Sequence, residues 1–87
     1  MASYKVLIKR SAAKELEALP AKDRGRVAAR IHQLSSDPRP PGCEKLSGDD
    51  RYRIRQGDYR IIYSVEDKVL TVMVVTVGHR RDIYRKR

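Results

Sequence analysis

Two neighbouring β-rich runs in the second half of the chain constrain the fold most strongly. Residues 59–65 read Tyr-Arg-Ile-Ile-Tyr-Ser-Val, and residues 69–77 read Val-Leu-Thr-Val-Met-Val-Val-Thr-Val. These residue types favour a pleated, half-buried surface. The second run is apolar on both parities apart from its threonines, which is typical of a strand covered on both faces. The charged residues 66–68 suit a hairpin tip. We therefore expect an antiparallel pair near the middle of a sheet.

The first part of the chain predicts one strand and a helical hairpin. Residues 4–9 alternate as in a strand with one face in the core. Residues 12–19 are mostly strong helix formers, and Ser11 is placed to cap them. Asp23 is expected to cap a second helix, in which apolar residues recur at helical spacing as far as Leu34.

A loop and a further strand complete the predicted fold. Residues 35–50 contain a proline-rich stretch that cannot continue a helix or a central strand. Residues 52–56 return to period two, and the Gly57-Asp58 pair predicts a tight turn into the next strand. We predict an α+β fold: an N-terminal strand, a two-helix hairpin, then a three-stranded antiparallel meander. The strands form a curved antiparallel sheet with the helices packed on one face.

The positive charge is concentrated in two segments. The chain of 87 residues has a formal net charge of +9, of which +7 falls within residues 51–60 and 79–87 together. If these segments are adjacent in space, they create a field that attracts phosphates or an acidic protein. A solubilising surface is the simpler explanation, but such a concentration makes it less favoured.

The residue inventory excludes several kinds of chemistry. Cys43 is the only cysteine, so no internal disulfide is possible and a reducing cytoplasm fits. The two histidines are well separated, and the paired acids lie in predicted turns, so we expect neither a metal site nor another cofactor. No apolar run is long enough to span a membrane.

What remains is a cationic and phenolic set, which comprises Arg53, Arg55, Arg60, His79, Arg80, Arg81 and Tyr84. Such side chains suit metal-free cleavage of RNA, in which a 2′-hydroxyl attacks the adjacent phosphorus. Guanidinium groups hold and neutralise a phosphate, and His or Tyr moves protons or stacks on a base. On composition alone, an enzyme, a nucleic-acid binder and a protein-binding module stay equally open.

Two motifs in combination resemble a known family. The sequence Tyr-Arg-Ile-Ile-Tyr at residues 59–63 is followed by Val-Gly-His-Arg-Arg-Asp-Ile-Tyr-Arg at residues 77–85. Together they are similar to the RelE toxins of toxin–antitoxin systems. The likeness covers nearly the whole chain, including the Lys-Leu-Ser-Gly stretch at residues 45–48. It implies a single RelE-like domain over residues 1–87.

The resemblance implies a ribosome-dependent endoribonuclease that cuts messenger RNA in the ribosomal A site without a metal or another cofactor. Arg60 and Arg80 match the arginines that contact the scissile phosphate in that family, and Tyr84 matches a tyrosine that stacks on a base or assists proton transfer. His79 is added to these catalytic candidates. The expected RNA-binding residues are Arg51, Arg53, Arg55, Arg81 and Lys45.

One departure from the family pattern concerns the second predicted strand of the chain, residues 52–56, where the family has a pair of lysines one residue apart. Arg53 and Arg55 occupy that place. Because arginine does not deprotonate in proteins, any base role of a lysine is lost there, while charge stabilisation and RNA binding survive.

The resemblance also implies binding partners, and two alternative functions stay open. We expect a cognate RelB-type antitoxin that covers the cationic face, and the ribosome with its messenger and ribosomal RNA. The main alternative is a ParE-like toxin, which shares the fold but inhibits DNA gyrase instead of cutting RNA. A basic RNA-binding module without activity is the third reading.

Overall fold

The computed structural model describes residues 3–46 and 50–79. The elements within these ranges are β1 (Lys5–Ile8), α1 (Arg10–Glu17), α2 (Ala21–Gln33), β2 (Glu44–Lys45), β3 (Arg51–Gln56), β4 (Tyr59–Glu66) and β5 (Thr71–His79). A short 3-10 turn, Asp67–Val69, joins β4 to β5. The described strands form one sheet in the order β1-β5-β4-β3-β2, and the predicted α+β class is confirmed.

The sheet differs from the prediction in two respects. First, β1 pairs with β5 in parallel, with Lys5 beside Thr71, so the sheet is mixed and not wholly antiparallel. A parallel pair needs a long crossover, and the helical hairpin begins that crossover directly after β1. Second, the segment 35–50, expected to be a loop, contains the two-residue strand β2, which pairs antiparallel with β3.

Both helices begin earlier than the predicted caps. Lys9 and Pro20 occupy the N-cap positions of α1 and α2, and neither makes a side-chain capping bond. The capping roles expected of Ser11 and Asp23 are therefore wrong. Asp23 instead lies in the first turn of α2, where a carboxylate interacts favourably with the positive end of the helix dipole.

The core lies between the helices and one face of the sheet. Its buried apolar residues are Ala12, Val27, Ile31, Leu34, Ile54, Ile61, Tyr63, Val65, Val72, Val74 and Val77. Inside this core the Tyr63 hydroxyl donates to the Pro38 carbonyl oxygen at 2.7 Å, and burial raises the pKa of the Tyr63 phenol. We call this side of the sheet the helix-covered face and the other side the open face.

A β-bulge in β5 changes which residues reach each face. Tyr63 pairs with Val74 and Ile62 pairs with Thr76, so Val75 is an extra residue between two consecutive pairs. After the bulge the next fully buried position is Val77. Every residue of β5 beyond the bulge therefore lies on the face opposite to the one that unbroken alternation would give it.

Candidate functional site

Arginine side chains gather on the open face. Strand alternation places Arg51, Arg53 and Arg55 of β3 on this side, opposite Ser64, Ile62 and Arg60 of β4 respectively. We call Arg51, Arg53, Arg55 and Arg60 the arginine face. The sequence contains the basis of this grouping, because the arginines of β3 occupy alternate positions and a tight turn fixes the register with β4.

Arg60 is at the centre of this group and is only 4% exposed. Its cross-strand neighbours are Arg55 on β3 and Gly78 on β5. Gly78 contributes no side chain on that flank. Arg60 thus contributes a nearly buried cation at the centre of the arginine face, next to the cation of Arg55.

A carboxylate completes the arginine face. β2 brings Glu44 opposite Arg53, whose Nε donates to Glu44 Oε1 at 3.1 Å, and a second guanidinium nitrogen donates to the same oxygen. The hydrogen bond from Arg53 and its charge hold the pKa of the Glu44 carboxyl below its usual range, with further lowering by the charges of Arg55 and Arg60. Glu44 is therefore ionised at neutral pH.

A depression of about 260 Å³ lies beside this ion pair, lined by Gly42, Glu44, Arg53, Ile54 and Arg55. Positively charged walls and one carboxylate are a suitable lining for a phosphate and a neighbouring hydroxyl group. Sequence reasoning missed Glu44, because a two-residue strand carries no periodicity and the preceding prolines indicated a loop.

Lys45 follows Glu44 in β2 but has a different cross-strand partner. It pairs with Tyr52, a residue of the helix-covered side that stacks on Tyr63 with ring centroids 5.8 Å apart. Lys45 is exposed, but the alternation of β2 places it on the other side of the sheet from Glu44. The structure therefore does not group Lys45 with the arginine face.

His79 lies on the helix-covered face. It pairs with Tyr59 across β4 and β5, and the two rings meet edge to face with centroids 5.6 Å apart and planes at 88°. The Tyr59 hydroxyl donates to Asp23 Oδ2 of α2 at 3.0 Å. That hydrogen bond, burial and the charges of Asp23 and Asp58 raise the pKa of Tyr59. The sheet thus separates His79 from the arginine face, although we expected one constellation.

The other expected site residues, Arg80, Arg81 and Tyr84, lie outside the described residues. Within residues 3–46 and 50–79, no group of three or more His, Cys, Asp or Glu side chains could hold a metal ion. In the same part of the chain, no helix has the length and apolar character needed to cross a membrane.

The fold is similar to that of several solved toxins. The toxin–antitoxin complex RelBE2 of Mycobacterium tuberculosis matches with a TM-score of 0.82 and 28% identity, over 92% of this chain and 94% of that chain. The RelE–RelB complex of Pyrococcus horikoshii matches with a TM-score of 0.77 and 32% identity, over 90% and 96%. The isolated RelE toxin of Escherichia coli gives 0.78 and 26%, over 95% and 98%. These similarities define a RelE-type toxin fold.

Two sequence comparisons agree with this class. A segment of 35 residues is 43% identical to toxin RelG of Mycobacterium tuberculosis, and the match spans 40% of this chain and 40% of RelG. Residues 6–84 match the family model described as the ParE toxin of the type II toxin–antitoxin system parDE. The chain belongs to this family of type II toxins, within the RelE/ParE superfamily.

Proposed function

We propose that this toxin is a ribosome-dependent, metal-independent endoribonuclease that cleaves messenger RNA in the ribosomal A site and so inhibits translation. The observation that carries the proposal is the arginine face, with the nearly buried Arg60 at its centre. A surface of this kind stabilises the negative charge of a phosphate undergoing substitution. The cytoplasm, where ribosomes work, is the compartment of action.

The reaction is an in-line transesterification. The 2′-oxygen forms a bond to the adjacent phosphorus, the bond from phosphorus to the 5′-oxygen breaks, and the products are a 2′,3′-cyclic phosphate and a 5′-hydroxyl. A base removes the 2′-hydroxyl proton and an acid protonates the departing 5′-oxygen. The protein must also neutralise the charge that develops on the phosphoryl oxygens.

In this proposal the arginines have two separate roles. Arg60 and Arg80 hold and neutralise the scissile phosphate. Contacts to messenger and ribosomal RNA come from Arg51, Arg53, Arg55, Arg81 and Lys45. Because guanidinium groups stay protonated, these residues bind and stabilise charge but do not remove a proton. Tyr84 stacks on a base or assists proton transfer.

Glu44 is the group on the arginine face that can accept the 2′-hydroxyl proton. Its carboxyl pKa is held low because Arg53 donates to it. A phosphate that engages Arg53 competes for the same guanidinium, and this weakens the contact that lowers the pKa. Substrate binding therefore makes Glu44 a stronger base at the moment when a base is required.

His79 contributes differently from the arginines. Its imidazole lies beside Tyr59 on the helix-covered face, so direct contact with a phosphate at Arg60 is not favoured by the geometry. His79 is the last residue of β5, next to Gly78, and it pairs with Tyr59 across the strands.

A cognate RelB-type antitoxin is the proposed partner. The similar structures from Mycobacterium tuberculosis and Pyrococcus horikoshii are complexes with an antitoxin. An acidic or amphipathic antitoxin segment would neutralise the arginine face by charge complementarity. Binding of this kind would exclude RNA from the same surface.

The test is cleavage of a defined messenger RNA by the purified toxin, with and without programmed ribosomes, in the presence of a metal chelator. We expect cuts confined to the A site, resistant to the chelator and abolished by Arg60→Ala and Arg80→Ala. Arg24→Ala is the control, because Arg24 is exposed on α2, on the helix side of the sheet. An Arg80→Ala protein as active as the wild type would overturn the assignment.

The matched family model gives a second candidate specific support, because its description names ParE. A ParE-like toxin inhibits DNA gyrase and cuts no RNA. If the folded protein makes no cuts on ribosomes, a supercoiling assay with purified gyrase decides between inhibition and an inactive RNA-binding module. The latter would show strongly salt-dependent RNA binding without product.

A further inference from the structure

Three side chains on the helix-covered face connect α2 to the end of the sheet. The Tyr59 hydroxyl donates to Asp23 Oδ2 at 3.0 Å across 36 positions of sequence. The Tyr59 ring in turn meets His79 edge to face, with centroids 5.6 Å apart. A hydrogen bond to an ionised carboxylate is stronger than one between neutral groups. Asp23 therefore restrains the tyrosine, and the tyrosine ring contacts the histidine.

This connection lies directly behind the arginine face. Tyr59 and His79 form one cross-strand pair, and the next pair along the same strands is Arg60 with Gly78. Successive residues of a strand point to opposite faces. A shift of the backbone at the Tyr59–His79 pair would therefore also move the adjoining backbone that carries Arg60 on the other side.

The surroundings of the pair leave space for such a shift. Tyr59 and His79 both line a depression of about 420 Å³ that is bounded by Glu15, Leu19 and Pro20. They also line one of about 220 Å³ bounded by Asp23, Arg26 and Asp58. Tyr59 packs against the core but also borders both depressions. The hydrogen bond to Asp23 adds a directional restraint on its ring.

We propose that Tyr59 and Asp23 are positioning residues, which hold the paired ends of β4 and β5 so that Arg60 faces the scissile phosphate in a single orientation. The proposal rests on the proposed nuclease function for its kinetic consequence, but its structural content is independent of that function. Neither residue touches the RNA in this arrangement, because both lie on the helix-covered face.

The kinetic test compares Tyr59→Phe with Tyr52→Phe. Each variant removes one phenolic oxygen that takes part in a side-chain hydrogen bond, since Tyr52 accepts from Arg39 Nε at 2.9 Å. The two tyrosines lie on the same face, but Tyr52 pairs with Tyr63, away from Arg60. Misplacing a reacting group by about 1 Å can cost on the order of 100-fold in rate. We expect Tyr59→Phe to lower kcat by about 10- to 100-fold with little change in KM, and Tyr52→Phe to keep the wild-type kcat.

A second readout needs no catalysis. Hydrogen exchange at the backbone amides of Arg60 and Gly78 reports local opening of the strand end. We expect faster exchange at both amides in Tyr59→Phe and wild-type exchange there in Tyr52→Phe. Asp23→Asn should reproduce the effect, and the double variant Asp23→Asn, Tyr59→Phe should be no worse than either single variant, because both remove the same interaction.

The two readouts separate the possible outcomes. If wild-type protein does not cut RNA, the proposed nuclease function fails, and the exchange data alone decide the positioning role. If the wild type cuts RNA and Tyr59→Phe keeps both kcat and slow exchange at Arg60, the positioning role is overturned while the nuclease stands. If Tyr59→Phe and Tyr52→Phe lose kcat equally, the effect is one of general stability and the inference is wrong.

Discussion

The guanidinium of Arg39 donates a hydrogen bond to each carboxylate oxygen of Asp67, from NH1 to Oδ1 at 3.1 Å and from NH2 to Oδ2 at 2.9 Å. Tyr4 donates to the same carboxylate at 2.7 Å. Arg39 Nε also donates to Tyr52, so one guanidinium joins the proline-rich loop, the β4–β5 connection and β3. The hydrogen bonds from Arg39 and Tyr4 lower the pKa of Asp67.

Removing the Asp67 charge should weaken the protein most at neutral pH. The folded-state pKa of Asp67 lies below its unfolded value, so its stabilisation is complete above the unfolded pKa, near pH 4, and is lost as pH falls through the folded pKa. We expect Asp67→Asn to lower Tm at pH 7 and to melt with a weaker dependence on pH below 4 than the wild type.

Thermal melts followed by circular dichroism between neutral and acidic pH would measure this effect. Asp58→Asn is the control, because Asp58 is an exposed acid in the β3–β4 turn. The difference in Tm between Asp67→Asn and the wild type should become smaller in high salt, because exposed ion pairs are screened. Equal melting of Asp67→Asn and Asp58→Asn at pH 7 would contradict the prediction.

Glu44→Gln should separate RNA binding from cleavage. The substitution removes the proton acceptor proposed above but keeps the arginines, so binding to programmed ribosomes should stay close to wild type or tighten. Loss of a general base typically costs about 100- to 10,000-fold in rate, and we expect a fall in that range. Single-turnover cleavage on ribosomes measures it.

Glu17→Gln is the matched control, because Glu17 is exposed on α1. In the wild type, the cleavage rate should fall in acid as Glu44 becomes protonated, and this acidic limb should be absent from the residual activity of Glu44→Gln. A variant with wild-type turnover would exclude Glu44 as the base and would direct attention to Tyr84.

Two glycines with open surroundings should respond in opposite directions to alanine. A Cβ added at Gly25 or at Gly57 meets no heavy atom within 4 Å. Gly25 lies inside α2, where Ala is favoured by about 0.5–1 kcal/mol. Gly57 has φ of +60°, a conformation that costs an L-residue about 1–2 kcal/mol. Gly25→Ala should therefore stabilise the protein and Gly57→Ala should destabilise it.

Chemical denaturation at 25 °C would resolve the two glycine variants. Gly57→Asn provides the control for backbone conformation, because Asn adopts the left-handed region more readily than Ala. Its loss should be smaller than that of Gly57→Ala. Destabilisation by Gly25→Ala would contradict the prediction and show that α2 does not accommodate a methyl group at this position.

Truncation of Ile61 should be costly. Ile61 is fully buried and pairs with Ile54 and Val77. Removal of a core Ile side chain to Ala costs about 2–5 kcal/mol, whereas Ile to Val costs about 0.5–1.5 kcal/mol. Ile62→Ala, on the half-buried open face, should cost less than Ile61→Ala. Urea unfolding with an unchanged m value checks the order of the three variants.

Much of this architecture follows from periodicity in the sequence. Alternation in β3, a tight turn at Gly57 and alternation in β4 were all predicted from the sequence, and in the structure they bring Arg53, Arg55 and Arg60 to one face. The helical hairpin and the apolar central strand were also predicted from the sequence. These features depend on local propensity and on contacts between neighbouring segments, which a single sequence carries.

The missed features depend on longer-range geometry. The pairing of Glu44 with Arg53 needs only two strand residues, too few for any pattern. The parallel docking of β1 is decided by the crossover. Asp67, which we expected only as part of a charged hairpin tip, pairs with Arg39 of the folded loop. The position of His79 depends on an insertion in pairing that residue types do not reveal.

The bulge at Val75 decides which face each later residue of β5 occupies. If Val75 were paired as an ordinary strand residue, unbroken alternation would place Gly78 on the helix-covered side and His79 on the same side as Arg60. Deletion of Val75 would instead remove the bulge while the later residues of β5 kept their present faces. The way the chain accommodates this one residue, and not only residue identity, determines which side chains lie on the open face and which meet the helices.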